Sequence, residues 1–193
     1  MHVWLLTLLI LTLGVLPVQS RAETPDYLGL ETPRTPYDSK YRKVSTLLAS
    51  AYKIRPSGHS PSFSSQEKRI RQYLEIAQSF SFKEERRLSS GREEDYWQLP
   101  EETERIRSGD CEDLAIWLYY HLLHEGFHNV RFTVGYAGAE DKGVHAWVTW
   151  YEKGRTYILD PSRREGIYSS HQLGSITYQP WYSYYLDKKW NHR

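Results

Sequence analysis

Two hydrophobic periods divide the chain: apolar residues recur every three or four positions as far as Gly126, then alternate from Asn129 onward. Tyr41, Val44, Leu48, Ala51 and Tyr52 predict a helix over Tyr37–Ile54, because that spacing gathers them on one face. The Pro, Gly and Ser content of Arg55–Ser65 predicts a loop. Ile70, Tyr73, Leu74 and Ala77 predict a second helix from Gln66 to Phe82, with Ser64 or Ser65 at its start. Lys83–Asp95 is charged and unpatterned, and reads as a solvated connection. Pro100 opens a short helix over Glu101–Arg107, with acids in the first turn. The next helix starts at Asp110 or Cys111 and ends at Gly126, a residue suited to closing helices.

In the second part, Val130, Phe132, Val134 and Tyr136 alternate with Arg131, Thr133 and Gly135, predicting a half-buried strand. Val144–Tyr151 and Arg155–Asp160 flank Lys153-Gly154 and read as a hairpin. Ser175–Trp190 adds a strand near Ile176–Tyr178 and then an aromatic tail, expected to cover a sheet edge or complete the core. Helices followed by strands predict an α+β fold, with helices layered on an antiparallel sheet.

The apolar run Val3–Val18 precedes all of this. It is shorter than the roughly 20 residues of a comfortable membrane span. Ser20 and Ala22 offer small residues for cleavage, so residues 1–22 are expected to be an export signal, although no Lys or Arg precedes the run. Export to a periplasmic or extracellular space follows, with retention as a membrane anchor the alternative; only retention would bring contact with a membrane. Residues 23–36, with three prolines, form an extended lead-in, and 37–193 are expected to be one domain. Lys and Arg number 25 against 24 Asp and Glu, a balance that provides no electrostatic footprint for nucleic acid.

Cys111 is the only cysteine, so the chain cannot form an internal disulfide. In Gly109-Asp110-Cys111-Glu112-Asp113-Leu114-Ala115 it stands at a helix start, where free N–H groups and the positive end of the dipole favour a thiolate. Leu114, Ala115, Leu118 and Leu122 lie within about 60° of its direction, so its sulfur faces the packed side. The plain alternative is a buried structural cysteine; the three surrounding acids argue against it. Asp110 and Asp113 have the spacing of a capping pair. With Lys153-Gly154 as the turn, Asp160 falls opposite Trp147 and becomes the diagonal neighbour of His145, roughly 7–8 Å away on the same face. A carboxylate there can orient an imidazole whose other nitrogen meets a thiol. His121, His124 and His128 read as a solvated helix face rather than metal ligands.

These three blocks, Gly109–Ala115, His145-Ala146-Trp147-Val148 and Asp160-Pro161-Ser162, resemble the core of the transglutaminase-like superfamily, nearest to its bacterial cysteine peptidases. The resemblance covers about Tyr96–Ser162. It implies a papain-like core with Cys111 as nucleophile, His145 as general base and acid, and Asp160 as orienter. Trp97-Gln98-Leu99-Pro100 is similar to the segment preceding the cysteine block in such proteins, making Trp97 and Gln98 candidate oxyanion donors. Some relatives hold calcium on the acids flanking the cysteine, which here would be Asp110 and Glu112, although the chemistry itself requires no cofactor. Asp-Pro-Ser differs from the Asp-Asn of the calcium-dependent branch. The expected activity is that of a peptidase or amidase on a protein or peptide substrate, through a thioester. The alternatives are a protein cross-linking transglutaminase and a non-catalytic peptide-binding module.

Overall fold

The alternation that begins at Val130 lies at the centre of a seven-stranded sheet in the computed structural model, which describes residues 28–52, 62–84, 96–138, 143–164, 166–169 and 177–193. In chain order the elements are β1 (Leu30–Glu31), α1 (Asp38–Tyr52), α2 (Phe63–Gln78), β2 (Ser81–Phe82), α3 (Pro100–Ile106), β3 (Ser108–Gly109) and α4 (Cys111–His124). The strands β4 (Val130–Gly138), β5 (His145–Glu152), β6 (Arg155–Leu159), β7 (Tyr168–Ser169), β8 (Thr177–Tyr185) and β9 (Lys188–Asn191) follow. The sheet order is β1-β9-β8-β4-β5-β6-β7, antiparallel throughout. The α+β class and the helix-on-sheet layering are as the sequence predicts. Residues 1–27, with the expected signal and anchor alternatives, lie outside the described residues. Among those described, no helix is long and apolar enough to cross a membrane.

α4 is the axis of the packing. Leu114 through Tyr119, Leu122 and Leu123 are all buried, the signature of a helix covered on every side. The sheet lies against one face and α1, α2 and α3 against the others. Phe132, Val134, Val148 and Trp150 project from β4 and β5 into this core. Tyr41 and Tyr184 close it with ring centroids 4.2 Å apart. The aromatic tail therefore completes the core: Tyr184 is fully buried in β8, a strand much longer than the sequence pattern marks.

Three expectations need correction. α2 begins at Phe63, three residues early, because Ser62 rather than Ser64 or Ser65 is the cap and Phe63 stacks on Trp150 at 5.3 Å. It also stops at Gln78, and Ser81–Phe82 pairs in parallel with β3 instead of continuing the helix. β4 is buried on both faces, because Ala137, Trp147, Ile158 and Tyr178 form a second small core on the side away from the helices. Thr133 is buried there, its hydroxyl 3.2 Å from that of Thr149. Part of the lead-in is ordered as β1, and the Leu28 carbonyl accepts from Arg131 at 3.0 Å.

The β4–β8 pairing shifts register between Val134 and Gly135, where Pro180 stands opposite Gly135. A bulge accommodates a proline that has no N–H for the ladder. The strands approach so closely there that a Cβ on Gly135 would lie 2.2 Å from the Gln179 carbonyl oxygen. Backbone cannot yield as a side-chain tip can. Gly135→Ala is expected to destabilise the fold by about 3 kcal/mol, whereas Gly143→Ala, with open space around it, should stay within about 0.5 kcal/mol of the parent. Urea unfolding of the two variants checks the contrast.

Candidate active site

The cysteine is positioned by the cap beneath it. Asp110 is the N-cap of α4 and Asp113 its reciprocal partner, the Asp110 N–H donating to Asp113 Oδ2 at 3.4 Å. Asp113 is 1% exposed, and its other oxygen accepts the Gln98 N–H at 2.8 Å. A buried carboxylate is tolerable only when so bonded. Gly109 makes room for it: a Cβ there would lie 2.5 Å from that of Asp113. The Gly-Asp-Cys-Glu-Asp run thus has a packing reason at its first position and a capping reason at its second and fifth.

The hairpin register follows the prediction, with Glu152 paired to Arg155 and Val148 to Leu159. Lys153 and Gly154 both have positive φ, 50° and 72°, as a tight two-residue turn requires. One step beyond the ladder, His145 Nε2 is 2.8 Å from Asp160 Oδ2. Nδ1 is left facing elsewhere. Cys111 and His145 line the same cleft, of about 670 Å³, and the Ala146 backbone N–H is hydrogen-bonded to the sulfur. The thiol therefore sits one residue along β5 from the imidazole.

The electrostatics of the thiol differ from the sequence expectation. Burial pushes the Cys111 thiol well above its ordinary range, and the charges of Glu112 and Asp110 push it further. The S–H donates to Glu112 Oε2 at 3.1 Å. Burial and the adjacent Asp110 push Glu112 itself up to about 9. Facing carboxylates of this kind are hard oxygen donors, the type that suits calcium. Two of them supply only part of its six to eight oxygens, and among the described residues no three His, Cys, Asp or Glu side chains are grouped to share a metal. Carbonyls or waters would have to complete such a site.

Trp97 is buried on the cleft wall, stacked on Tyr37 at 5.9 Å. Gln98 is not among the cleft residues: its side chain accepts from Thr103 Oγ1 at 3.2 Å and its N–H is held by Asp113. His121 is half-buried rather than solvated, 4.2 Å from the Trp117 ring and 3.4 Å from Glu104, and burial lowers its pKa. His124 and His128 are exposed.

No family model matches the chain, and no curated protein does. Among solved structures, Legionella pneumophila LapG aligns with a TM-score of 0.54 at 21% identity, over 82% of this chain and 81% of that one. Its calcium-bound form gives the same TM-score at 20% identity, over 82% and 81%. The EGTA-treated form aligns equally, at 21% identity over 82% and 78%. The chain shares its α+β fold with LapG. The resemblance carried by the three motif blocks thus holds for the architecture.

Several residues around Asp160 escape any local pattern. Its carboxylate, 3% exposed, accepts from the Tyr178 hydroxyl at 2.7 Å, the Ser162 hydroxyl at 2.7 Å and the Ser162 N–H at 3.0 Å. Arg163 Nε lies 3.4 Å away. Ser162 was within reach of sequence reasoning, since Asp followed two residues later by Ser is a turn signal. Tyr178 was not, because it comes from β8, across the sheet. Burial alone would raise the Asp160 pKa; the His145 bond and charge and the two hydroxyls outweigh it and hold the carboxyl below its ordinary value. Such a group contributes stability above its unfolded pKa, about 3.9, and that contribution is lost as pH falls through the lower folded value. Tyr178→Phe removes one donor and brings the folded pKa nearer 3.9. The variant should be about 1–2 kcal/mol less stable at pH 7, with the gap narrowing below pH 4. Urea titrations at pH 7, 4 and 2 check this.

Proposed function

We propose that the protein is an exported cysteine peptidase or amidase in which Cys111 is the nucleophile, His145 the general base and acid, and Asp160 the orienter. The observation that carries this reading is the 2.8 Å bond from buried Asp160 to His145, which lines the cleft that also holds the sulfur. With Asp160 on Nε2, the neutral ring carries its proton there and Nδ1 is free to accept one. In the proposed sequence, Nδ1 takes the thiol proton as the sulfur attacks a peptide or side-chain amide carbonyl. The resulting imidazolium then protonates the leaving amine, and a thioester remains. A water deprotonated by the same nitrogen releases the acid. The N–H groups at the start of α4 are the nearest oxyanion donors in kind, with Trp97 a further candidate on the wall. The α+β cysteine-protease-like architecture shared with LapG supports a protein or peptide substrate. The apolar Val3–Val18 run and the small residues after it support export.

Incubation with casein and a fluorescent primary amine tests both the reading and its cross-linking rival. Fragments should accumulate without amine incorporation, and Cys111→Ala or His145→Ala should reduce release by about 10³-fold. Incorporation of the amine in place of cleavage would make the protein a cross-linker. Neither product, with Cys111 inert to iodoacetamide, would leave a peptide-binding module.

Calcium is part of the proposal at Asp110 and Glu112, where it would supply positive charge beside the thiol. Asp110 and Glu112 would hold it; Asp113, buried in the cap, would not. Addition of calcium after EGTA treatment is expected to raise the melting temperature of the protein, and Asp110→Asn should abolish the rise. An equal rise in that variant would place the ion elsewhere.

A further inference from the structure

β6 leaves both of its ladders before it reaches Asp160, the last pairs being Leu159 with Val148 and Ile158 with Tyr168. The main chain that carries this carboxylate is therefore held by what lies beyond the strand. Asp160-Pro161-Ser162-Arg163 folds into a turn, the Arg163 N–H donating to the Asp160 carbonyl at 3.4 Å. The side-chain amide of Gln78, the last residue of α2, donates to that same carbonyl at 3.3 Å and also to the carbonyl of Arg163. Both neighbours only accept, so the amide nitrogen rather than the oxygen faces them, with one N–H for each. One side chain thus closes both ends of the turn.

The residues that follow Gln78 support the cysteine. Ser79 Oγ accepts from Arg107 Nη2 at 3.1 Å, and the N–H groups of Ser81 and Lys83 donate to the Arg107 and Gly109 carbonyls, each at 2.9 Å. Gly109 stands two residues before Cys111. Gln78–Lys83 therefore touches both the turn that bears Asp160 and the segment that leads to the sulfur. The helix behind it is anchored, since Ile70, Leu74 and Ala77 are buried.

We infer that Gln78 is a positioning residue, holding the Asp160 turn at a set distance from the segment that carries Cys111. The inference deepens the peptidase reading and rests on it for its kinetic consequence. Gln78 is not among the residues lining the cleft, so it acts through Asp160, whose Oδ2 meets His145 Nε2 at 2.8 Å. The Ser162 N–H and hydroxyl bond the carboxylate from within the turn and move with it. Tyr178 reaches the carboxylate from β8; Gln78 reaches the main chain beneath it. A residue placed in this way shapes the reacting geometry and leaves substrate binding alone.

The test replaces Gln78 with a side chain of similar length and no donor. Gln78→Met is expected to lower kcat for casein release about tenfold, the order of one lost hydrogen bond, with KM within about twofold of the wild type. Hydrogen exchange gives a readout independent of activity. The Ser162 amide, bonded inside the turn, should exchange about tenfold faster in the variant, while the Gln98 amide, held by Asp113, should keep its rate. Should that variant fail to fold, Gln78→Asn, polar but one methylene too short to reach the turn, serves in its place. Equal acceleration of both amides would mark a general loss of stability and overturn the positioning role. An unchanged Ser162 rate, or a kcat within about twofold of the wild type, would overturn it as well. If the wild type itself releases no fragments, the peptidase reading falls, and the Ser162 exchange alone decides whether Gln78 holds the turn.

Discussion

The buried carboxylate of Asp113 fixes where everything reactive can be. It accepts main-chain N–H groups from Gln98 and Asp110, and so ties the segment before α3 to the start of α4. A carboxyl at 1% exposure depends on such bonds, since losing them would leave an unsatisfied polar group in the interior. Its closeness to Gly109 excludes any larger residue there. The first turn of α4, and with it the sulfur, is thereby set by a local polar clamp rather than by helix propensity. The apolar body of α4 then holds the clamp against the sheet.

The imidazole depends on a second constraint, the uneven ends of the central strands. β5 begins at His145, opposite Gly135, while β4 continues to Gly138. Among the described residues, the outer main-chain groups of β4 beyond that point lack a strand neighbour. Arg163 fills part of the notch by donating to the Ala137 carbonyl at 3.3 Å. Tyr178, paired with Ala137 across β8, spans the rest to reach Asp160. The same notch that interrupts the ladder therefore gathers donors around one carboxylate, and that carboxylate is hydrogen-bonded to His145. Gln78 adds a tie from α2, its amide 3.3 Å from the Asp160 carbonyl.

What could be read in the sequence was what is fixed locally. A two-residue turn determines the register of its hairpin, so the His145–Asp160 relation was legible from Lys153-Gly154 alone. Asp110 and Asp113 marked the helix start because capping involves residues three apart. The contacts that escaped join distant segments: Tyr178 with Asp160, Gln98 with Asp113, Phe82 with Gly109. Thr133 was misplaced for a related reason. Alternation reveals which residues share a face, but whether the second face is covered depends on Trp147, Ile158 and Tyr178 meeting there. The sulfur's environment was misjudged because the helix terminus was weighed without the burial of its acidic neighbours.

That last point decides how the proposed nucleophile must work. A helix terminus presents about half a positive charge, whereas Asp110 and Glu112 each carry a full negative charge when ionised, and Glu112 Oε2 is 3.1 Å from the sulfur. Burial adds to their effect by disfavouring any anion. Three acidic groups on consecutive residues cannot all ionise in this space. Burial and the neighbouring acid push Glu112 up to about 9, and burial and both acids push the thiol above its ordinary range. A thiolate there needs a cation close by, and the candidates are the imidazolium of His145, which lines the same cleft, or a metal ion on the acids themselves. The arrangement disfavours a resting thiolate, so in the proposed mechanism the ionisation of Cys111 depends on what approaches it.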